Sequence, residues 1–147
     1  MAVEAARLER AFERAPALVD RLVAEAPFPS ADAATARARS LLESMTERDR
    51  VAVLDAHPRI GADPRMLSAD SAREQGGGED PAVIERLTEL NELYERTFGF
   101  RFVVFVAGRA KSEIVPVLER RLRRTREQEL ATGTEEFLAI AHDRLTR

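Results

Sequence analysis

The helical spacing of the apolar residues constrains the fold of this chain most. These residues lie in segments that prolines and capping residues separate. They recur three or four positions apart along most of the 147 residues. The clearest stripe consists of Val83, Leu87, Leu90, Tyr94 and Phe98, with Asn91 on the same side. Gly99 follows it, and glycine commonly ends helices. The pattern predicts an all-α fold of about eight helices.

Prolines and short polar side chains mark the expected helix ends. The first helix is expected over residues 2–14 and the third from Ser30 to about Met45. The expected starting residues or caps of the others are Pro16, Thr46, Ser68 or Asp70, Asp80, Ser112 and Thr125. Gly76-Gly77-Gly78 is expected to end the short helix after Ser68, and Pro116 is tolerated only near a first helical turn.

Residues 100–106 favour extended backbone, because they are rich in phenylalanine and valine. No second segment of similar character is present to pair with them. We therefore expect one buried irregular or extended segment, closed by Gly108. The whole of residues 1–147 is expected to form a single domain.

Composition excludes several classes of function. Apolar residues make up 44% of the chain and the net charge is -3, which argues against nucleic-acid and anionic-membrane binding. No apolar run approaches the length of a membrane-spanning helix, and the first residues do not resemble a secretion signal. The absence of cysteine excludes disulfides and thiolate chemistry and suggests a cytoplasmic protein.

His57 is one of only two histidines and stands where a helix is expected to end. It lies three residues beyond Leu54 on the buried stripe, and Pro58 disfavours helical geometry at His57. The negative pole of the helix would favour a protonated imidazole. Such a group can act as a general acid or base, but position alone favours a structural histidine bonded to a carbonyl.

Ser71, Glu74 and Gln75 share one face of the short helix, because they stand at i, i+3 and i+4. They could hold a ligand rich in N–H and C=O groups. Taken singly they are ordinary solvated residues, but they converge just after the loop that begins at the histidine.

A metal site is not predicted, because no His-x-x-x-His or Glu-x-x-His spacing occurs. His142 is expected to be exposed. A basic cluster, interpreted as a solvated and salt-bridged face, consists of Arg120, Arg121, Arg123, Arg124 and Arg126. Arg144 borders an apolar stripe and could either reach outward or point at a buried carboxylate.

Several of these motifs together resemble the 2-oxo-4-hydroxy-4-carboxy-5-ureidoimidazoline (OHCU) decarboxylase family. The motifs are His57-Pro58-Arg59-Ile60-Gly61, Ser71-x-x-Glu74-Gln75, Leu90-Asn91-x-x-Tyr94, Phe98-Gly99-Phe100-x-Phe102, Arg121-Leu122 and Arg144-Leu145. Each is weak alone, but the ordered set spans nearly the whole chain. Two departures are Arg124, where the family usually has asparagine, and a short loop between His57 and Glu74.

The resemblance implies an all-helical homodimer that needs no cofactor or metal and converts OHCU to (S)-allantoin and CO2. It implies that His57 and Glu74 are catalytic. It implies substrate binding by Pro58, Ser71, Gln75 and Arg144, with Arg121 as the alternative to Arg144, and contact between the substrate ring and the backbone near residues 102–106. Two other functions stay open: decarboxylation of a related ureido or imidazoline acid, and a non-catalytic helical interaction module that uses residues 120–126.

Overall fold

Eight helices account for most of the residues described by the computed structural model, which covers residues 2–12, 15–62, 68–75 and 80–147. The helices are α1 Ala5–Ala11, α2 Pro16–Glu25, α3 Ala31–Ser44, α4 Glu47–Asp55, α5 Ala69–Gln75, α6 Pro81–Phe98, α7 Lys111–Arg121 and α8 Arg126–Thr146. Within those residues the only β-type pairing is an isolated bridge between Val3 and Phe28. The all-α prediction is confirmed. No helix among them is both long and apolar enough to cross a bilayer.

The predicted helix caps are confirmed at most of the expected positions. The Ser30 hydroxyl accepts from Ala33 N at 3.0 Å, and that of Thr46 accepts from Asp49 N at 3.2 Å. The carboxylate of Asp80 accepts from Ala82 N at 2.9 Å. These bonds satisfy backbone N–H groups that have no partner within the helix. Gly99 ends α6 with a φ of 82°, in the left-handed region that favours glycine.

Three of the local predictions need correction. The first helix is shorter than residues 2–14, because extended Val3 exchanges backbone hydrogen bonds with Phe28. Helix α7 begins after Ala110 and not at Ser112, because the Glu113 carboxylate accepts from Ala110 N at 2.7 Å. Pro116 consequently lies in the second turn of α7. The predictions for Gly76-Gly77-Gly78 fall outside the described residues.

The chain forms two compact units, and the single domain expected over residues 1–147 stays a prediction. The first unit comprises residues 1–57 and 134–147. In it α2 packs against α1, α3 and α4. Its fully buried side chains include Leu8, Phe12, Leu18, Leu22, Leu41, Leu42, Leu54 and Phe137.

The second unit, residues 58–133, is built around α6, which packs against α7. The Tyr94 ring lies 4.6 Å from that of Phe98 and 5.3 Å from that of Phe102, measured between centroids. These separations lie in the range of favourable aromatic pairs. An aromatic core of this kind anchors the segment that follows α6.

Residues 101–106 have no regular secondary structure, and their apolar side chains are mostly buried. This confirms the predicted irregular segment. Arginine side chains supply hydrogen bonds that a neighbouring strand would otherwise provide. Arg121 donates to Val103 O at 2.7 Å, and Arg109 donates to Phe105 O at 2.6 Å and Val106 O at 2.9 Å. Gly108, with a φ of 78°, follows the segment as expected.

Candidate active site

The predicted site residues belong to both units. His57 and Arg144 lie in the first, and Pro58, Ser71, Glu74 and Gln75 lie in the second. Each set is described within its own unit.

His57 lies immediately beyond α4, as the sequence predicts. The helix ends at Asp55 with Ala56 as its cap, and His57 N donates to Leu54 O at 3.1 Å. The side chain is buried, and its ring meets that of Phe137 edge-on with centroids 6.3 Å apart. The imidazole is therefore enclosed in the first unit and packs against an aromatic ring.

Arg144 lies in the last turn of α8 and is buried, although arginine seldom is. Its Nη1 donates to Ala11 O at 3.2 Å. Of the two orientations considered from the sequence, the outward one is therefore wrong. The side chain keeps a permanent positive charge inside the first unit.

Helix α5 carries the three polar residues that the sequence placed on one face. The hydroxyl of Ser68 accepts from Ser71 N at 3.1 Å, so the cap is Ser68 and not Asp70. Ser71 and Gln75, one turn apart, are buried, and Glu74 is half-buried. The shared face of Ser71 and Gln75 thus points inward, with Glu74 at its margin.

Gln75 uses both ends of its amide on the backbone that follows Pro58. Its Oε1 accepts from Gly61 N at 2.9 Å, and its Nε2 donates to Arg59 O at 3.1 Å. The predicted role of Gln75 in substrate binding is untested, but these two bonds give it a structural role that sequence reasoning missed.

Asn91 is a second polar residue that holds the same backbone, and sequence reasoning gave it no function. Its Nδ2 donates to Ile60 O at 3.0 Å, and the side chain is almost completely buried. Its position on the apolar stripe of α6 was the available signal, because an amide on a buried face needs a partner inside the protein.

A buried ion pair in the second unit was also missed. Glu129 is fully buried, and its carboxylate accepts from Arg121 Nε at 2.7 Å, Arg124 Nη1 at 2.9 Å and the Tyr94 hydroxyl at 2.6 Å. The guanidinium of Arg121 also lies over the Phe102 ring at 4.5 Å. The prediction of a solvated basic face is therefore wrong for Arg121, which continues the buried stripe of Ile114 and Leu118 on α7.

Two pKa shifts follow from the contacts of the second unit. Burial, reinforced by the hydrogen bond to Glu129, raises the pKa of Tyr94 well above its usual range. The hydrogen bonds from Arg59 to Glu95, at 2.7 and 2.9 Å, raise the pKa of Arg59. Both residues keep their protons at neutral pH.

The other histidine has a different environment. His142 Nε2 lies 2.7 Å from Asp32 Oδ1, and its side chain is 39% exposed. Across the described ranges, no three histidine, aspartate or glutamate side chains are grouped as a metal site would require. His142 is therefore a surface residue that can serve as a control for His57.

The all-helical fold and the order of the motifs along the chain are those that the resemblance to the OHCU decarboxylases implies. Residues 2–146 match the model of the OHCU decarboxylase family, and the chain belongs to that family.

Similar proteins come from archaea, bacteria and animals. The chain is 28% identical over 137 residues to the OHCU decarboxylase of Haloferax volcanii, covering 91% of this chain and 82% of the relative. It is 28% identical over 144 residues to the putative human OHCU decarboxylase, covering 92% and 82%. It is 31% identical over 138 residues to a bifunctional uric acid degradation protein of Bacillus subtilis, covering 91% of this chain and 28% of that protein.

Solved structures share the fold. An OHCU decarboxylase crystallised in the presence of (S)-allantoin superposes with a TM-score of 0.77, at 21% identity and 95% coverage of both chains. An (S)-allantoin synthase gives a TM-score of 0.72 at 23% identity, covering 97% of this chain and 48% of that one.

Proposed function

We propose that this chain decarboxylates OHCU to (S)-allantoin and CO2 in urate breakdown, with its own side chains and no cofactor. Membership of the OHCU decarboxylase family over residues 2–146 is the observation that carries the proposal. The relative from Haloferax volcanii bears the name of this activity. The buried, aromatic-packed His57 is consistent with proton transfer.

The substrate itself supplies the electron sink for the reaction. Its carboxylate and hydroxyl stand on one ring carbon, next to a C=N bond. When the bond to the carboxylate breaks, its electron pair forms a carbon–carbon double bond, and the imine pair moves to nitrogen, which takes up a proton. The hydroxyl then loses its proton and the adjoining carbon gains one on a single face. One proton is consumed overall, and no electrons are gained or lost.

In this proposal His57 and Glu74 manage the protons. His57 hydrogen-bonds the hydroxyl and carboxylate region of the substrate and accepts the hydroxyl proton. Glu74, half-buried on α5, holds ring or ureido N–H groups and takes part in proton transfer. An imidazole suits the first role because its unperturbed pKa lies near neutrality.

The remaining predicted residues bind the substrate. Arg144 carries a permanent positive charge in a buried position and neutralises the negative charge of the substrate. The Ser71 hydroxyl hydrogen-bonds the polar ring, and Pro58 contributes an apolar surface. Gln75 contributes to the binding site through its two bonds to the backbone of Arg59 and Gly61. A partly apolar surface favours the reaction, because CO2 is less polar than the carboxylate from which it forms.

The homodimer implied by the resemblance and the cytoplasmic location suggested by the absence of cysteine belong to the same proposal. Sedimentation equilibrium of the purified chain tests the dimer, for which a mass near twice that of the single chain is expected. Fractionation of the cells that produce the protein tests its location.

The activity is tested with OHCU generated in situ from urate by urate oxidase and hydroxyisourate hydrolase. Decay of OHCU is followed by ultraviolet absorbance, and (S)-allantoin by circular dichroism. We expect His57→Ala to lower kcat by about 10²- to 10⁴-fold, the usual contribution of a positioned acid or base, while the affinity for (S)-allantoin changes little.

His142→Ala is the matched control, because it removes the other histidine, whose ring contacts Asp32 at the surface. It is expected to retain wild-type turnover. If OHCU decays no faster with the chain than without it, the decarboxylase proposal is wrong, and a panel of related ureido and imidazoline acids is tested next. If His57→Ala turns over like wild type, the role of His57 is wrong.

A further inference from the structure

The backbone just beyond His57 is held by side chains at three consecutive residues. The Gln75 amide binds Arg59 O and Gly61 N, and Asn91 binds Ile60 O between them. The carbonyls of Arg59 and Ile60 and the N–H of Gly61 are therefore each hydrogen-bonded to a buried side-chain amide. These three bonds restrain a backbone that has no regular secondary structure.

The two amides belong to different helices of the same unit. Gln75 is the last residue of α5, and Asn91 lies in the middle of α6. Glu95, one turn beyond Asn91, adds the paired hydrogen bonds with the Arg59 side chain. The segment Pro58–Gly61 is therefore attached to α6 by two side chains and to α5 by one.

Helix α5 needs this attachment more than the longer helices do. It has seven residues, and isolated helices of that length are not stable in water. Its Ser71 and Glu74 are a predicted ligand residue and a predicted catalytic residue. Their position relative to Pro58 depends on what joins α5 to that segment, and the Gln75 amide makes two hydrogen bonds across that junction.

The bond from Asn91 Nδ2 to Ile60 O accounts for the presence of a polar side chain at this buried position. The Oδ1 of Asn91 is buried and accepts no hydrogen bond from any residue that the structure describes. A buried acceptor without a partner costs free energy, so an apolar residue would suit this stripe better if the donor at Nδ2 were unimportant.

We propose that Gln75 and Asn91 form an amide clamp that positions the predicted α5 residues, Ser71 and Glu74, against the segment Pro58–Gly61. In this assignment Gln75 acts through the backbone and is a positioning residue, and Asn91 is a second one. The effect on catalysis rests on the proposed decarboxylase activity. The clamp itself is a property of the free protein and can be tested without substrate.

Three variants and one control test the clamp. Gln75→Met and Asn91→Leu keep approximate side-chain size and remove the amide, and the double variant removes both. Gln128→Met is the control, because it removes the same group from a backbone bond at the start of α8, where Gln128 Oε1 accepts from Thr125 N at 3.1 Å.

The first measurement is hydrogen exchange of the Gly61 amide by NMR in the ligand-free protein. We expect Gly61 to be protected in the wild type and in Gln128→Met, and to lose its protection in Gln75→Met while α6 stays protected. Unchanged protection of Gly61 in Gln75→Met overturns the clamp, even if Asn91→Leu fails to fold.

The second measurement is turnover of OHCU. Misplacement of reacting groups by about 1 Å can cost about 100-fold, so we expect kcat to fall about 10- to 100-fold in each single variant, with (S)-allantoin affinity within about threefold of wild type. Because both side chains hold one segment, the double variant should lose less than the product of the two single losses.

The catalytic role of the clamp is overturned if Gln75→Met raises KM without changing kcat and Asn91→Leu has wild-type kinetics. That result would make Gln75 a direct ligand. A wild-type chain without decarboxylase activity would contradict the proposed function instead, and the exchange of Gly61 would still decide whether the clamp exists.

Discussion

Replacement of Tyr94 by phenylalanine removes one hydroxyl from the buried cluster of the second unit and leaves the ring in place. That hydroxyl donates to Glu129 Oε1 at 2.6 Å, and both side chains are fully buried. The ring contacts with Phe98 and Phe102 do not involve the hydroxyl. The substitution therefore isolates a single hydrogen bond to a buried carboxylate.

The expected cost follows from the charge of the acceptor. Hydrogen bonds to charged groups contribute about 1.5–3 kcal/mol to stability, and Arg121 and Arg124 still contact Glu129 in the variant. We expect Tyr94→Phe to lower the free energy of unfolding by about 2 kcal/mol, measured by urea denaturation. Thr97→Val is the control, because its hydroxyl is exposed on the same helix and donates to Leu93 O; its cost should stay below about 0.5 kcal/mol.

The same hydroxyl makes stability depend on alkaline pH. The pKa of Tyr94 is raised from its ordinary value of about 10 in the folded protein, because burial and the bond to Glu129 disfavour the phenolate. Above pH 10 the unfolded chain loses this proton and the folded chain keeps it. The unfolded state then binds fewer protons, so the free energy of unfolding falls as pH rises, by at most about 1.4 kcal/mol per pH unit.

The assay is direct, because the chain has one tyrosine and no tryptophan. Phenolate absorbance should appear only as the helical circular dichroism is lost, and Tyr94→Phe should lack this contribution to the alkaline slope of stability. Reversible phenolate formation near pH 10 in a fully helical protein would refute the reasoning. So would a cost of Tyr94→Phe no larger than that of Thr97→Val.

Four further substitutions test the fold by urea or thermal unfolding. Arg121→Met leaves the Glu129 charge buried with fewer partners and should lower the free energy of unfolding by about 3–5 kcal/mol. Arg124→Ala removes a side chain that is 40% exposed and should cost less than about 1 kcal/mol. Equal costs would contradict the assignment of Arg121 as the main partner of Glu129. Gly99→Ala should lower the free energy of unfolding by about 1 kcal/mol, because the left-handed backbone disfavours a Cβ there. Steric contact adds little, since a Cβ would meet no atom of the described residues within 4 Å. Wild-type stability would mean that the backbone relaxes. Ser30→Ala removes the α3 cap and should cost about 1 kcal/mol, and no change in the melting temperature would mean that water replaces the hydroxyl.

Local chemistry made the helix ends predictable. Ser30, Thr46 and Asp80 cap the helices that follow them, because a short polar side chain reaches backbone N–H groups only two or three residues away. Gly99 ends α6 for an equally local reason. The cap at Ser112 was wrong because Glu113, also local, competes for the same turn and reaches Ala110 N.

The local positions of the predicted site residues followed from the sequence, and their contacts did not. The end of α4 at His57 follows from Pro58, and the spacing of Ser71 and Gln75 follows from helical periodicity. The bonds from Gln75 to Arg59 and Gly61 join residues 14 to 16 positions apart. Their partners are backbone groups, which every residue carries, so sequence contains no signal that selects them.

The sequence by itself determined the all-helical class, most helix boundaries, the irregular segment near residues 100–106 and the family, because each depends on neighbouring residues or on an ordered set of motifs. Only the tertiary structure decided which polar side chains are buried and what they bind. Glu129 and Arg121 look like members of a solvated charge run, and they are enclosed because α6, α7 and the segment at 101–106 pack around them. Burial depends on residues far apart in the chain, and a charge becomes an internal support only when distant atoms exclude water from it.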